Sequence, residues 1–239
     1  MPRLATRHRI AAYALLSRAF LDGVRAEDCD GWRDVLHALL SDGSEAVAPG
    51  TDDGLRETGR RLREALVGVG PDWPGWEEAR REHLRLFVGP YHVPAPPYES
   101  VYRSPQRLVM QEPAHAVRRA YAEAGVAVER LGEIPDDHLA CELEFAGLLL
   151  AHAAVSGGPG APDGRDAMER HRLFLTEHLL AWTPDLHRDI ARAAPGGLYA
   201  AIAAFLVAFL RSEAGGRDSA AGAADPLPGG CPATEGPGS

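Results

Sequence analysis

Pro135-Asp-Asp-His-Leu-Ala-Cys-Glu-Leu-Glu-Phe-Ala-Gly-Leu-Leu-Leu-Ala-His152 is the stretch that decides the fold. Leu139, Leu143, Ala146 and Leu150 fall on one helical stripe, beside Phe145 and Leu149. Pro135 suits a first helical position, and Asp136 and Asp137 complement the positive end of the helix dipole. The pattern predicts a helix from Pro135 to His152, with Asp137 and His138 exposed at its start.

The same period runs outward in both directions. Ile10, Tyr13, Leu16, Phe20 and Leu21 mark a first helix, and Trp32, Val35, Leu36, Leu39 and Leu40 a second. Residues 42–50 read as a loop. Leu55, Leu62, Leu66 and Val69 mark a third helix with Thr51 as N-cap, and Trp76 to Phe87 a fourth. Helical spacing resumes from Pro113 to Gly125. Beyond a flexible connector at 156–164, Met168 to Trp182 forms another helix, and a short one follows Pro184. The last, Gly197 to Arg211, is apolar nearly all round and should be central. No strand pair is evident. The expectation is an all-α single domain over residues 1–213. Residues 214–239, rich in Gly, Ala and Pro, cannot bury enough apolar surface to offset chain entropy and should be disordered.

Composition excludes several classes. The 239 residues are 45% hydrophobic and 25% charged, an ordinary globular balance. The formal charge of −9 argues against nucleic acid and suits a basic partner. Cys29, Cys141 and Cys231 lie far apart, which disfavours a disulfide framework or a structural zinc site and fits a reducing compartment. No apolar run approaches the ~18 residues of a membrane span. The longest, Leu198 to Leu210, is too short. The basic start, residues 1–9, leads into an amphipathic helix with no cleavage site, so it is not a signal peptide. These points predict a soluble, cytoplasmic protein. No nucleotide-binding, nucleophile-elbow or zincin motif is present.

Two constellations remain. One is the loop from Gly89 to Pro105, with five prolines and Tyr91, Tyr98 and Tyr102 between them. Proline denies it helix and central strand. It either caps the core or offers a rigid apolar surface to a partner, with Glu99 placed to meet a cation. The other is the start of the Pro135 helix. There His138 and Glu142 share a face, and Asp137 sits at the entrance. This is a sufficient helix start, but it could also bind a cation or accept hydrogen bonds from guanidinium groups. A metal site would need further ligands, which His171 and His178 could add.

Taken in order, LFVGPYHVPAPPYESVY (residues 86–102), RLVMQEPAHAVRRAYAEAGV (107–126), PDDHLACELEF (135–145) and FLTEHLLAWTPDL (174–186) resemble the TorD/DmsD family of molybdoenzyme maturation chaperones, related to the NarJ group. The resemblance implies an all-helical cytoplasmic chaperone, with no catalytic residues and no cofactor of its own. Its partners would be the twin-arginine leader peptide and the apo catalytic subunit of a molybdenum oxidoreductase, held until the cofactor is inserted. It further implies a peptide-binding surface at Leu86, Phe87, Pro97, Tyr98, Ser100, Tyr102, Asp137 and His138. Glu99 stands where some members have a small residue and joins the candidate set. Members occur as monomers or segment-exchanged dimers. The contrasting expectation is a helical metal-dependent enzyme using His138, Glu142, His171 and His178.

Overall fold

The computed structural model describes residues 4–41, 51–68, 70, 72–90, 93–126, 134–156 and 162–215. The expectations for the 42–50 loop, Tyr91, the 157–161 connector and the tail beyond Gly215 lie outside those residues. The helices among the described residues are α1 (Thr6–Leu21), α2 (Cys29–Leu40), α3 (Thr51–Ala65), α4 (Trp76–His83), α5 (Glu99–Arg103), α6 (Glu112–Glu123), α7 (Leu139–Ser156), α8 (Pro162–Phe174), α9 (Leu180–Ala193) and α10 (Leu198–Gly215). Wide π-helical turns at Leu84–Val88 and Leu175–Leu179 extend α4 and join α8 to α9.

The stripes become one core. Helix α1 crosses α7 closely because Gly147 leaves room: a side chain there would begin 3.1 Å from Tyr13 Cβ. Ser17 Oγ donates to the Ala140 carbonyl at 2.9 Å across the same crossing. Helix α10 lies between α3 and α9, with Tyr199, Ile202, Phe205, Leu206, Phe209 and Leu210 buried. It runs 18 residues, to Gly215, beyond the end at Arg211 that the sequence pattern suggested. Among the described residues it is the one helix long and apolar enough to cross a membrane, which corrects the expectation that no stretch reaches that length. Its buried residues form the centre of the bundle, as its all-round apolarity predicts.

Three local expectations are corrected. Helix α7 begins at Leu139, not at Pro135. The supposed helix-free loop contains α5, a single turn fitted between Pro97 and Pro105. The chain also does not break at Pro184, which sits inside α9. The wide turn before α9 loosens the ladder there, and Thr183 Oγ1 donates to the Leu179 carbonyl at 2.7 Å.

The start of α10 is fixed from a distance. Glu82, on α4, accepts hydrogen bonds from the amides of Leu198 and Tyr199 at 3.2 and 3.3 Å, so a buried carboxylate caps the central helix. A side chain at Gly197 would collide with that carboxylate. Glu82→Ala and Gly197→Ala should each cost about 1 kcal/mol in urea denaturation. Because both act through one cap, the double variant should be no less stable than the worse single, whereas additive losses would contradict the shared cap.

Candidate functional site

The site is a seam between two chain segments 37 residues apart. Tyr98 and His138 form an isolated antiparallel bridge. The Glu99 amide donates to the Asp137 carbonyl at 3.0 Å, and the Leu139 amide to the Pro97 carbonyl at 2.9 Å. These bonds occupy the backbone groups that a helix starting at Pro135 would need, which is why α7 starts at Leu139.

Each helix at the seam receives a side-chain cap. The amide and hydroxyl of Ser100 both donate to Asp137 Oδ2, the amide at 2.8 Å, so Asp137 caps α5. The same Ser100 Oγ accepts from the Gln111 amide at 3.2 Å, which ties the start of α6 to the seam. His138 caps its own helix: the Ala140 amide donates to Nδ1 at 3.1 Å. An acceptor at Nδ1 requires a neutral ring. Burial, with a smaller contribution from His83, lowers His138 to about 4, so the ring is neutral at physiological pH.

The expected exposure of Asp137 and His138 is therefore wrong: they are 0% and 6% exposed. The two Ser100 donors meet Oδ2 of Asp137, while its Oδ1 is buried without a donor. Asp136, also buried, pairs with Arg118 at 2.6 Å, while Tyr121 donates to its carbonyl at 2.9 Å. Burial pushes the Asp137 carboxyl up, and the two Ser100 bonds pull against that shift. Glu99 does not face outward either. It is fully buried, held by Arg103 on one oxygen and by His178 Nδ1 at 2.9 Å on the other.

The remaining candidates divide into floor and surface. Leu86 and Phe87 are core: Phe87 packs edge-on against Phe20, His83 and Tyr199 at 5.1–5.4 Å between ring centres. Pro97 and Ser100 are also buried. Tyr102 is half-buried between Trp182, stacked at 5.5 Å, and the Arg107 guanidinium, 5.4 Å above its ring centre. Tyr98 is half-buried with its ring edge-on to His138 at 5.0 Å, so part of this aromatic side chain reaches the surface of the seam. Sequence reasoning overlooked Arg103, Gln111, Arg118 and Trp182. The Glu99–Arg103 spacing of four was the one local signal for any of them.

The histidines proposed as extra ligands go elsewhere. His171 lies 3.0 Å from the Tyr13 hydroxyl, near the Arg9–Glu213 ion pair, while His178 serves Glu99. Seven residues would normally return to the same helix face, but the wide turn at Leu175–Leu179 turns through less angle per residue and so shifts His178 off that face. Glu142 receives Trp182 Nε1–H at 3.2 Å. Among the described residues no group of three or more His, Cys, Asp or Glu side chains is arranged to hold a metal ion.

The neutral capping histidine sets a pH dependence. With a folded value of about 4 against the ordinary 6.5, His138 contributes stability that is complete above pH 6.5 and lost as pH falls towards 4. His138→Asn keeps a capping acceptor without the titration. Denaturation between pH 7 and pH 4 should show a shallower stability loss for the variant, and parallel curves would contradict the assignment.

A family model described as the nitrate reductase delta subunit matches residues 48–188. The chain is 30% identical over 164 residues to the chaperone protein TorD of Vibrio cholerae serotype O1 (strain M66-2), covering 68% of this chain and 72% of that protein. It is 30% identical over 161 residues to the chaperone protein TorD of Photobacterium profundum, covering 67% and 73%. With that of Ferrimonas balearica it shares 27% identity over 179 residues, covering 74% and 78%.

Proposed function

The chain belongs to the TorD/NarJ-type family of maturation chaperones, which are not enzymes, and from that premise we propose that it binds the twin-arginine leader peptide of a molybdenum oxidoreductase in the cytoplasm. It holds the apo catalytic subunit while the cofactor is inserted, then releases it for export. The client-binding unit is residues 1–213. It works as a monomer or a segment-exchanged dimer and takes no nucleic acid partner.

The observation that carries this reading is the seam itself. In a chain of this family, two separated motifs are clamped together by Asp137, Ser100 and the Tyr98–His138 bridge, so that one aromatic face is presented in a fixed orientation. Tyr98, with the edge of His138 and with Tyr102, meets the apolar middle of the leader. Leu86, Phe87, Pro97, Glu99, Ser100 and Asp137 act from beneath by fixing that face. Both oxygens of Glu99 are already occupied, and Asp136 is paired with Arg118. Neither carboxylate is free to grip the leader's arginines. The net charge of −9 instead steers a basic leader towards the surface, and apolar burial supplies most of the affinity.

The calorimetric titration of purified protein with the leader peptide of its client tests the reading. Tyr98→Ala should weaken binding about tenfold or more, the loss expected of an aromatic anchor, with the melting temperature nearly unchanged. Wild-type affinity in that variant would remove the site from this face.

A further inference from the structure

Beneath the seam lies a polar group that peptide contact does not explain. Glu142, on the first turn of α7, is fully buried. Its Oε2 accepts from Trp182 on α9, but its Oε1 has no donor. Its carboxyl faces that of Glu99 on α5. Both Glu99 oxygens are accepting already, from Arg103 and His178. Two ionised carboxylates facing one another without a donor between them would repel in a medium where charge is poorly screened. One proton on Glu142 turns that contact into a hydrogen bond and accounts for the orphaned oxygen.

We propose that Glu142 holds a proton shared with Glu99, and that this protonated carboxyl is the positioning residue that keeps α5 docked on α7 and α9, so that Tyr98 faces the leader in fixed orientation. The proposal rests on the reading above for its functional half only. The charged and titratable groups around Glu142 are Glu99 from α5, Asp137 and Cys141 beside the start of α7, and Tyr121 from α6, whose phenol feels the Glu142 charge. Trp182 is its neutral donor from α9. Arg103 and His178 reach it only through Glu99. Glu142 thus has no cation of its own. Burial first, then the Glu99 and Asp137 carboxylates, push it well above the ordinary 4.5, and the Trp182 bond offsets only part of this.

The sign of the effect follows. A carboxyl that keeps its proton in the folded state contributes stability that is complete below pH 4.5 and is lost as pH rises through its folded value. The Glu142→Gln variant replaces the proton with an amide that donates towards Glu99 and still accepts from Trp182. It should melt at or above the wild-type temperature at pH 8, with the gap closing towards pH 5. His138 and Asp137 titrate in both proteins, so the difference between the curves isolates Glu142. A Gln variant that melts below wild type at pH 8, or curves that coincide at every pH, would overturn the proposal. Carbon-13 NMR titration of the glutamate side chains of the wild-type chain gives a reading that needs no variant. The Glu142 carboxyl should stay protonated well past pH 4.5, and titration at the ordinary value would also overturn it. For the functional half, wild-type affinity for the client's leader peptide should fall with rising pH, by at most about tenfold per pH unit for one linked proton, while Glu142→Gln stays level. Level affinity in both proteins would leave Glu142 without the positioning role. Failure of the wild type to bind the leader at any pH would count against the leader-binding reading, with the NMR titration still deciding the shared proton.

Discussion

The Asp137 carboxylate accepts two hydrogen bonds from a single residue, Ser100, and that contact decides where α5 lies. A five-residue helix has almost no cooperative stability of its own. It exists because Asp137 supplies a cap from another segment, because the Tyr98–His138 bridge fixes the chain entering it, and because Ser100 in turn holds the Gln111 amide at the start of α6. The Pro-rich stretch around it contributes stiffness: Pro97 and Pro105 limit what the chain can do on either side, so the contact costs little further entropy. Three helices, α5, α6 and α7, meet around this carboxylate, and the aromatic face above inherits its geometry from them.

Burial of charge is the recurring device of the fold, and each instance joins parts distant in sequence. Glu82 caps α10 from α4. Asp136 receives Arg118 from α6. Arg9 and Glu213 close the two ends of the described chain on each other with bonds of 2.7 and 2.8 Å, beside Tyr13 and His171. Removing one member of such a pair leaves a buried group unsatisfied, which costs more than the pair contributes. The buried apolar stripes of α1, α7 and α10 supply the core of the bundle. The contacts select which bundle forms, and at the seam they also build a surface.

Most of the helices were legible because their signal is local. The stripes through Ile10 and Phe20, through Trp32 and Leu39, and through Leu139 and Leu150 repeat at the helical period and all reach the core. The seam was not legible because it is made of backbone hydrogen bonds between residues that no period connects. Pro135 and the two Asp residues mimic a helix start so well that the true start, three residues after Asp136, is hidden until the bridge to Pro97 is seen. Helix α5 is too short to show a stripe. The exposure expected of Asp137 and His138 followed from their place at an apparent helix start, and it failed because Ser100 and the Ala140 amide supply hydrogen bonds that make burial tolerable. The motif order, in contrast, carried the family membership correctly, since it needs only sequence.

The central claim is that the two motifs form one cooperative unit held by Asp137. Residue-resolved amide hydrogen exchange tests it most directly. In the wild-type chain the amides of Glu99, Ser100 and Leu139 should exchange about as slowly as those in the middle of α10. In Asp137→Ala all three should exchange much faster together, while the α10 amides remain slow. Rapid exchange of the Ser100 and Leu139 amides in the wild-type chain, at rates typical of an exposed loop, would contradict the account.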